Sequence, residues 1–302
     1  MRDAQGDSAA AARPAPSFTA SLGEAAEMVA FKHSVFALPF ALMSLITAAG
    51  AGWPSPRVWL WTVVAMVAAR TAAMSFNRLV DHRLDAANPR TAGRSLPAGR
   101  LSRSFAWALT VVAGAVFVVA AARLNDLCLA LAPPTLAWLL VYSFAKRFTA
   151  AAHLWLGLGL GLAPLGAWVA ETGALAWQPL VLAAAVTFWV AGFDTIYSLQ
   201  DETFDRARGL RSLPARLGAA RALGLARAFH LTALVGFAAF AMIAGGGWLR
   251  ITAVAAAAAL MAWQHRLVRP GDLRAVNAAF FTANGALSVV MLALFVLAKL
   301  AG

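Results

Sequence analysis

Apolar runs of about one bilayer's width alternate with short polar segments along almost the whole chain. The runs lie near residues 32–51, 57–76, 104–122, 126–145, 152–171, 177–198, 222–244, 248–265 and 275–299. A helix needs about 20 apolar residues to cross the hydrocarbon core. The pattern therefore predicts an all-α integral membrane protein, with nine transmembrane helices in one bundle. The third and fourth runs are joined by "ARLND", a tight turn. Within the fifth, "GLGLGLAP" (Gly157 to Pro164) has no strand before it and reads as a small-residue helix-packing surface. Residues 1–22 are rich in Ala, Pro and Ser, without the apolar stretch of a signal peptide. They predict a mobile tail ahead of a single transmembrane domain over 23–302.

Composition supports a membrane class. Of the 302 residues, 61% are hydrophobic and 13% charged, against about 25% charged in soluble chains. The lone cysteine, Cys128, excludes an intramolecular disulfide and a cysteine-rich metal site. The net charge of +12 would suggest nucleic acid in a soluble protein. Here its placement argues otherwise. With a cytoplasmic N-terminus, the tail and the loops after spans 2, 4, 6 and 8 collect 20 of the 25 basic residues. By the positive-inside rule this is a topology signal, with the C-terminus outside, as for a bacterial inner-membrane protein. Most of the 11 tryptophans, Trp53, Trp59, Trp177 and Trp248 among them, fall near span ends and suit an interfacial belt.

The acidic residues carry a second pattern. Asn77, Asp81 and Asp85 follow span 2 at intervals of four. Asp194, Tyr197, Asp201 and Asp205 follow span 6, with Asp201 and Asp205 again four apart. Arg94 precedes Ser95-Leu96-Pro97-Ala98 after the first cluster, and Arg211 precedes Ser212-Leu213-Pro214-Ala215 after the second. Four spans separate the clusters, which puts both on one membrane face and predicts an internal duplication of about four helices. Asp126, Glu171 and Asp272 stand apart and read as caps or surface charges.

Positions i, i+4 and i+8 of a helix drift only about 40° per step, so each cluster makes one polar stripe. Carboxylates near membrane depth face a cavity or a partner. Two facing stripes concentrate negative charge that needs a counter-charge, and a divalent ion is the natural one. Mg²⁺ takes one or two carboxylates together with substrate phosphates. The neighbouring arginines and lysines would attract a diphosphate.

"NRLVDHRLD" with "RTAGRSLPAG", then "DTIYSLQDETFD" with "GLRSLPARLG", resemble the paired motifs of the UbiA superfamily of intramembrane aromatic prenyltransferases. "VYSFAKRFT" (Val141 to Thr149) is similar to a third feature of that family. "FKHSVFALPFAL" (Phe31 to Leu42) resembles the first helix of its bacterial 4-hydroxybenzoate polyprenyltransferase branch. The resemblance runs from about residue 25 to the C-terminus. It implies a nine-helix bundle around a central cavity, a polyprenyl diphosphate bound through two Mg²⁺, loss of diphosphate, and alkylation of an electron-rich ring by the allylic cation. It implies that Asp81, Asp85, Asp201 and Asp205 are catalytic metal ligands, with Asn77 and Asp194 supporting the metal. Arg90, Arg94, Lys146, Arg147 and Arg211 are the candidates for diphosphate. Lys32 and Tyr197 are the candidates for the acceptor. His153 reads as a packed or interfacial histidine, and His33, His82, His230 and His265 are assigned no chemistry.

The expected reaction is thus Mg²⁺-dependent prenylation of a small aromatic acid of the 4-hydroxybenzoate class in quinone biosynthesis, or of a naphthoate-type menaquinone precursor. The expected partners are membrane lipid and these two substrates, not nucleic acid. A transporter is the alternative from another class, since internal repeats and intramembrane acids also occur there. Against it, the repeated acids lie at one face and an even helix offset gives parallel copies.

Overall fold

The computed structural model describes Gly23, Glu24 and residues 36–302. The expected tail and the beginning of the first span lie outside the described residues. Among the described residues, the α-helices of 11 residues or more are α1 Leu38–Ala48, α2 Pro56–Ala87, α3 Arg103–Leu124, α4 Asp126–Val141, α5 Ala152–Thr172, α6 Gln178–Ser198, α7 Ala219–Ile243, α8 Trp248–Leu267 and α9 Asn284–Ala301, with short helices at Ala145–Phe148, Glu202–Ala207 and Leu213–Leu217. No strand occurs among the described residues; an isolated bridge joins Arg269 and Asp272.

Among the described residues, seven helical segments are long and apolar enough to cross a membrane: Pro56–Ala87, Arg103–Leu124, Asp126–Phe148, Ala152–Thr172, Gln178–Ala207, Ala219–Ile243 and Ala278–Ala301. Each matches an expected span. The other two expected spans fall short of that measure. The described part of the first, α1, has 11 residues. The eighth, α8, has 20 residues but carries Arg250, Gln264, His265 and Arg266.

Helix starts follow local chemistry. Ser55 caps α2 by accepting from the Val58 N–H, and Ser102 caps α3 by accepting from the Phe105 N–H. Asn125, in the expected tight turn, caps α4 through the Cys128 N–H and donates across to Val169 O at 2.8 Å, tying the turn to α5.

The core gathers around α6. Trp189, Phe193, Phe40, Phe237 and Phe240 are all nearly inaccessible. Trp189 Nε1–H donates to Asn284 Oδ1 at 3.1 Å, so its one polar atom is satisfied inside the core. Large apolar side chains such as Val111, Leu231, Val235 and Trp248 point outward instead, as lipid-facing residues do. Lipid is as apolar as these side chains, so close packing of small residues holds the helices together. A Cβ on Gly157 would lie 2.2 Å from Thr187 O, and one on Gly161 2.7 Å from Ala183 O. The glycine-rich run is therefore the seam between α5 and α6. We expect Gly157→Val to destabilise the bundle by about 1–3 kcal/mol or more, because the clash is with backbone. Gly166→Val on the same helix, where nothing lies within 4 Å, is the control. Thermal melting of the two variants in detergent checks this; equal melting temperatures would remove the seam assignment.

Two segments outgrow the bilayer at the same end. Pro56–Ala87 has 32 residues and Gln178–Ala207 has 30. At 1.5 Å per residue each exceeds the roughly 30 Å hydrocarbon core. Their excess length carries the two acidic clusters. Beyond them the matching tetrapeptides diverge. Ser95 to Ala98 lie in a run of turns, whereas Ser212 precedes a short helix, Leu213–Leu217.

Candidate active site

The two overhanging segments line one cavity, together with the polar loop after α2 and the Tyr142–Arg147 segment after α4. It holds about 190 Å³. Pockets for drug-sized ligands run from about 300 to 1,000 Å³. The space therefore suits a small polar headgroup.

Five carboxylates line it (Asp81, Asp85, Asp194, Asp201, Asp205), as do five cationic side chains (Arg78, Arg90, Arg94, Lys146, Arg147). The charges are paired. Arg147 Nη2 donates to Asp81 Oδ1 at 3.0 Å. Arg94 Nη1 donates to Asp85 Oδ1 at 2.7 Å, and Arg78 Nη1 stands 3.7 Å from Asp85 Oδ2. Lys146 Nζ lies 3.9 Å from Asp205 Oδ2. Asp194 bonds to His153 Nδ1 at 2.6 Å.

Asp201 is the most heavily bonded of the five. Arg90 grips it as a fork, Nε to Oδ1 at 2.9 Å and Nη2 to Oδ2, while Asn88 Nδ2 donates to Oδ1 at 3.0 Å. Both partners come from the end of α2 and the following loop, so these bonds fasten the first acidic segment onto the second. Arg90 also donates to Tyr197 Oη at 3.3 Å and lies over its ring. Burial works against the Arg90 charge, but the hydrogen bonds and charge of Asp201, with Tyr197 nearby, outweigh it and hold the guanidinium above its ordinary pKa.

The buried Asp85 Oδ2 and Asp205 Oδ2 accept no hydrogen bond, although both side chains are almost inaccessible. Arg78 and Lys146 stand 3.7 and 3.9 Å from these oxygens, too far to hydrogen-bond. Buried carboxylate oxygens left without a hydrogen bond are costly, and hard oxygen donors are what Mg²⁺ takes. The residues thus fit a divalent ion. Among the described residues no three His, Cys, Asp or Glu side chains converge as a ready cage. The reason is visible in the pairing: arginine and lysine hold the acids apart. Mg²⁺ needs only one or two carboxylates when phosphate oxygens complete its shell.

The remaining expected residues separate. Asn77 lines the cavity, but its Nδ2 is given to Asp81 Oδ2 and its Oδ1 accepts from Arg78. Arg211 is not among the lining residues; its Nη1 donates to Phe148 O at 2.8 Å, on the outside of the loop. Lys32 and His33 lie outside the described residues. Tyr197 packs its ring on Phe280, with centroids 4.1 Å apart. His153 is packed, as expected, yet also bonded to an acid of the cavity. Arg78 and Asn88 line the site without having been singled out, and Tyr142, part of the "VYSFAKRFT" segment, lines it without an expected role. A cation inside "NRLVDHRLD" was a usable signal for Arg78, since charges at membrane depth are rarely idle. Nothing in the spacing pointed to Asn88.

Fold and cavity together define an integral membrane helical bundle with an acid- and base-lined headgroup site at one end. The chain belongs to the UbiA prenyltransferase family, whose pattern matches residues 37–286, and it is accordingly a prenyltransferase. It is 30% identical over 257 residues to a 4-hydroxybenzoate octaprenyltransferase of Vibrio vulnificus (strain CMCP6), covering 84% of this chain and 89% of that one. A relative of the same description from Alkalilimnicola ehrlichii is 30% identical over 256 residues, 84% of this chain and 86% of that one. The apo structure of a UbiA homolog from Aeropyrum pernix K1 superposes with a TM-score of 0.80 at 34% identity, over 88% of this chain and 98% of that one. A UbiA homolog from Archaeoglobus fulgidus bound to DMAPP and Mg²⁺ shares the fold, with a TM-score of 0.68 at 18% identity, over 92% of this chain and 99% of that one.

Proposed function

We propose that this prenyltransferase moves a polyprenyl group from polyprenyl diphosphate to a small aromatic acid of the 4-hydroxybenzoate class, with Mg²⁺, in quinone biosynthesis. The observation that carries the reading is the cavity in which five acids and five bases surround two carboxylate oxygens that accept no hydrogen bond, Asp85 Oδ2 and Asp205 Oδ2. The names of the relatives and the Mg²⁺ and DMAPP of a fold neighbour support it.

In this reading Asp81, Asp85, Asp201 and Asp205 hold the metal, with Asn77 and Asp194 beside them. Bound Mg²⁺ supplies Lewis-acid stabilisation of the leaving diphosphate. Arg90, Arg94, Lys146 and Arg147 swap their carboxylate partners for diphosphate oxygens and stabilise the charge that grows as the C–O bond breaks. Arg211 acts from behind by fixing the loop to Phe148, and Arg78 neutralises Asp85 from within α2. Tyr197 stands at the edge of the headgroup site, where an acceptor ring can stack. Lys32 remains a candidate for the acceptor carboxylate. The cavity face is cytoplasmic, nine segments span the bacterial inner membrane, and the two acidic segments descend from a four-helix duplication.

The test is product formation by purified protein in lipid, with Mg²⁺, a polyprenyl diphosphate and either 4-hydroxybenzoate or a dihydroxynaphthoate, detected by mass. Prenylated benzoate supports the reading. Prenylated naphthoate moves the acceptor to the menaquinone side. Folded protein that yields neither product overturns the acceptor class.

A further inference from the structure

His153, at the start of α5, is completely buried. Its Nε2 accepts a hydrogen bond from the backbone N–H of Leu213 at 3.3 Å. A nitrogen that accepts carries no proton, so the ring is neutral with its proton on Nδ1. Nδ1–H then donates to Asp194 Oδ2 at 2.6 Å. Asp194 differs in this from the other four acids of the cavity, each of which faces an arginine or lysine. It is held firmly without being neutralised.

The same ring anchors a wall. Leu210 lines the cavity, and its N–H donates to Asp205 O at 2.8 Å. Arg211 N–H donates to Lys146 O at 2.7 Å, and Leu213 N–H ends on His153. The loop after the second acidic cluster is thereby stitched to the segment carrying Lys146 and Arg147.

We propose that His153 is a positioning residue for prenyl transfer: Nδ1–H orients Asp194 toward the bound divalent ion, while Nε2 keeps the 210–213 loop in register. This rests on the reading of the cavity as the metal and diphosphate site. Hydrogen-bond partners of metal-binding carboxylates typically matter by about 10–100-fold in metal affinity or activity.

Two amides separate the two bonds. The amide of His153→Asn reaches the place of Nδ1, and that of His153→Gln the place of Nε2. We expect His153→Gln to raise the Mg²⁺ concentration for half-maximal rate by about 10–100-fold, and His153→Asn to stay closer to the native value. Asp194→Asn combined with His153→Gln should be no worse than Asp194→Asn alone, since both remove one interaction. Equal losses in Asn and Gln, additive with Asp194→Asn, overturn the proposal in favour of packing alone. Two readouts need no turnover. ¹⁵N spectra of the ligand-free protein should show a Nδ1–H histidine that vanishes in His153→Asn; a Nε2–H ring at 153 overturns the assignment. Mn²⁺ titration by EPR, with inorganic diphosphate present, should show weaker binding in His153→Gln, and undiminished binding overturns it. A native protein that binds Mn²⁺ in this way but prenylates neither the benzoate nor the naphthoate would sink the acceptor reading and leave this proposal standing.

Discussion

Asp201→Ala is expected to lower prenyl transfer by at least about 10²–10³-fold, the usual cost of removing a group that stabilises transition-state charge. The loss has two sources. In the reading above the carboxylate holds the metal. In the ligand-free protein it accepts from Arg90 twice and from Asn88, so its removal also unfastens the loop after α2 from the second acidic segment. Arg90 would then swing free, and the diphosphate site would lose both its register and its cation. Stability should suffer less than activity, because the Arg90 side chain is 29% exposed and can return to water. Asp201→Asn keeps the shape and one acceptor, so it should retain the loop but not the metal. The measurement is single-turnover rate beside thermal melting for the two variants. Native turnover in either variant would remove Asp201 from the site.

Chelation is expected to stop turnover reversibly while leaving the fold intact. EDTA should reduce the rate by at least about 10²-fold, as loss of a Lewis acid at the leaving group requires. Yet each cavity acid already has a protein partner: Arg147, Arg94, His153, Arg90 and Lys146 serve Asp81, Asp85, Asp194, Asp201 and Asp205. His153 is a neutral partner, but the five cations that line the cavity, Arg78 among them, match its five acids in number, so metal removal uncovers no large net charge. Melting temperature should therefore shift little with EDTA alone. It should rise when Mg²⁺ and a prenyl diphosphate are added together, because only the folded state binds them. Unfolding by EDTA would mean that the ion is structural, and full activity in EDTA would remove the metal from the mechanism.

The all-helical membrane class was legible because a 20-residue apolar run has few other uses. The first acidic stripe was legible because i, i+4 spacing on one helix leaves no choice of face. The second breaks that rule, since Asp201 ends a 3-10 turn after α6 and Asp205 lies in a separate short helix, Glu202–Ala207. The family followed from the two motifs. The span count was less so. Trp248–Leu267 is a full helix, but its alanines and its polar end make it less apolar than its neighbours. The transporter alternative fell to the family match, which the charge pattern favoured without deciding.

Which base meets which acid was not legible at all. Spacing along a helix says nothing about a partner more than 100 residues away, and Arg90, Asn88 and Asp201 meet only because the α2 loop folds back over α6. Arg211 illustrates the reverse case. It repeats Arg94 in sequence, but the loop beyond α6 turns it onto Phe148 O while Arg94 reaches Asp85. In sequence His153 read as a packed or interfacial histidine; the tertiary structure brought Leu213 and Asp194 to its two nitrogens. The chain alone determined the elements, the membrane and the chemistry of the acids, since these depend on local period and composition. The folded bundle decided the pairing, because an ion pair or hydrogen bond forms only within a few ångströms and no local rule sets distances between helices.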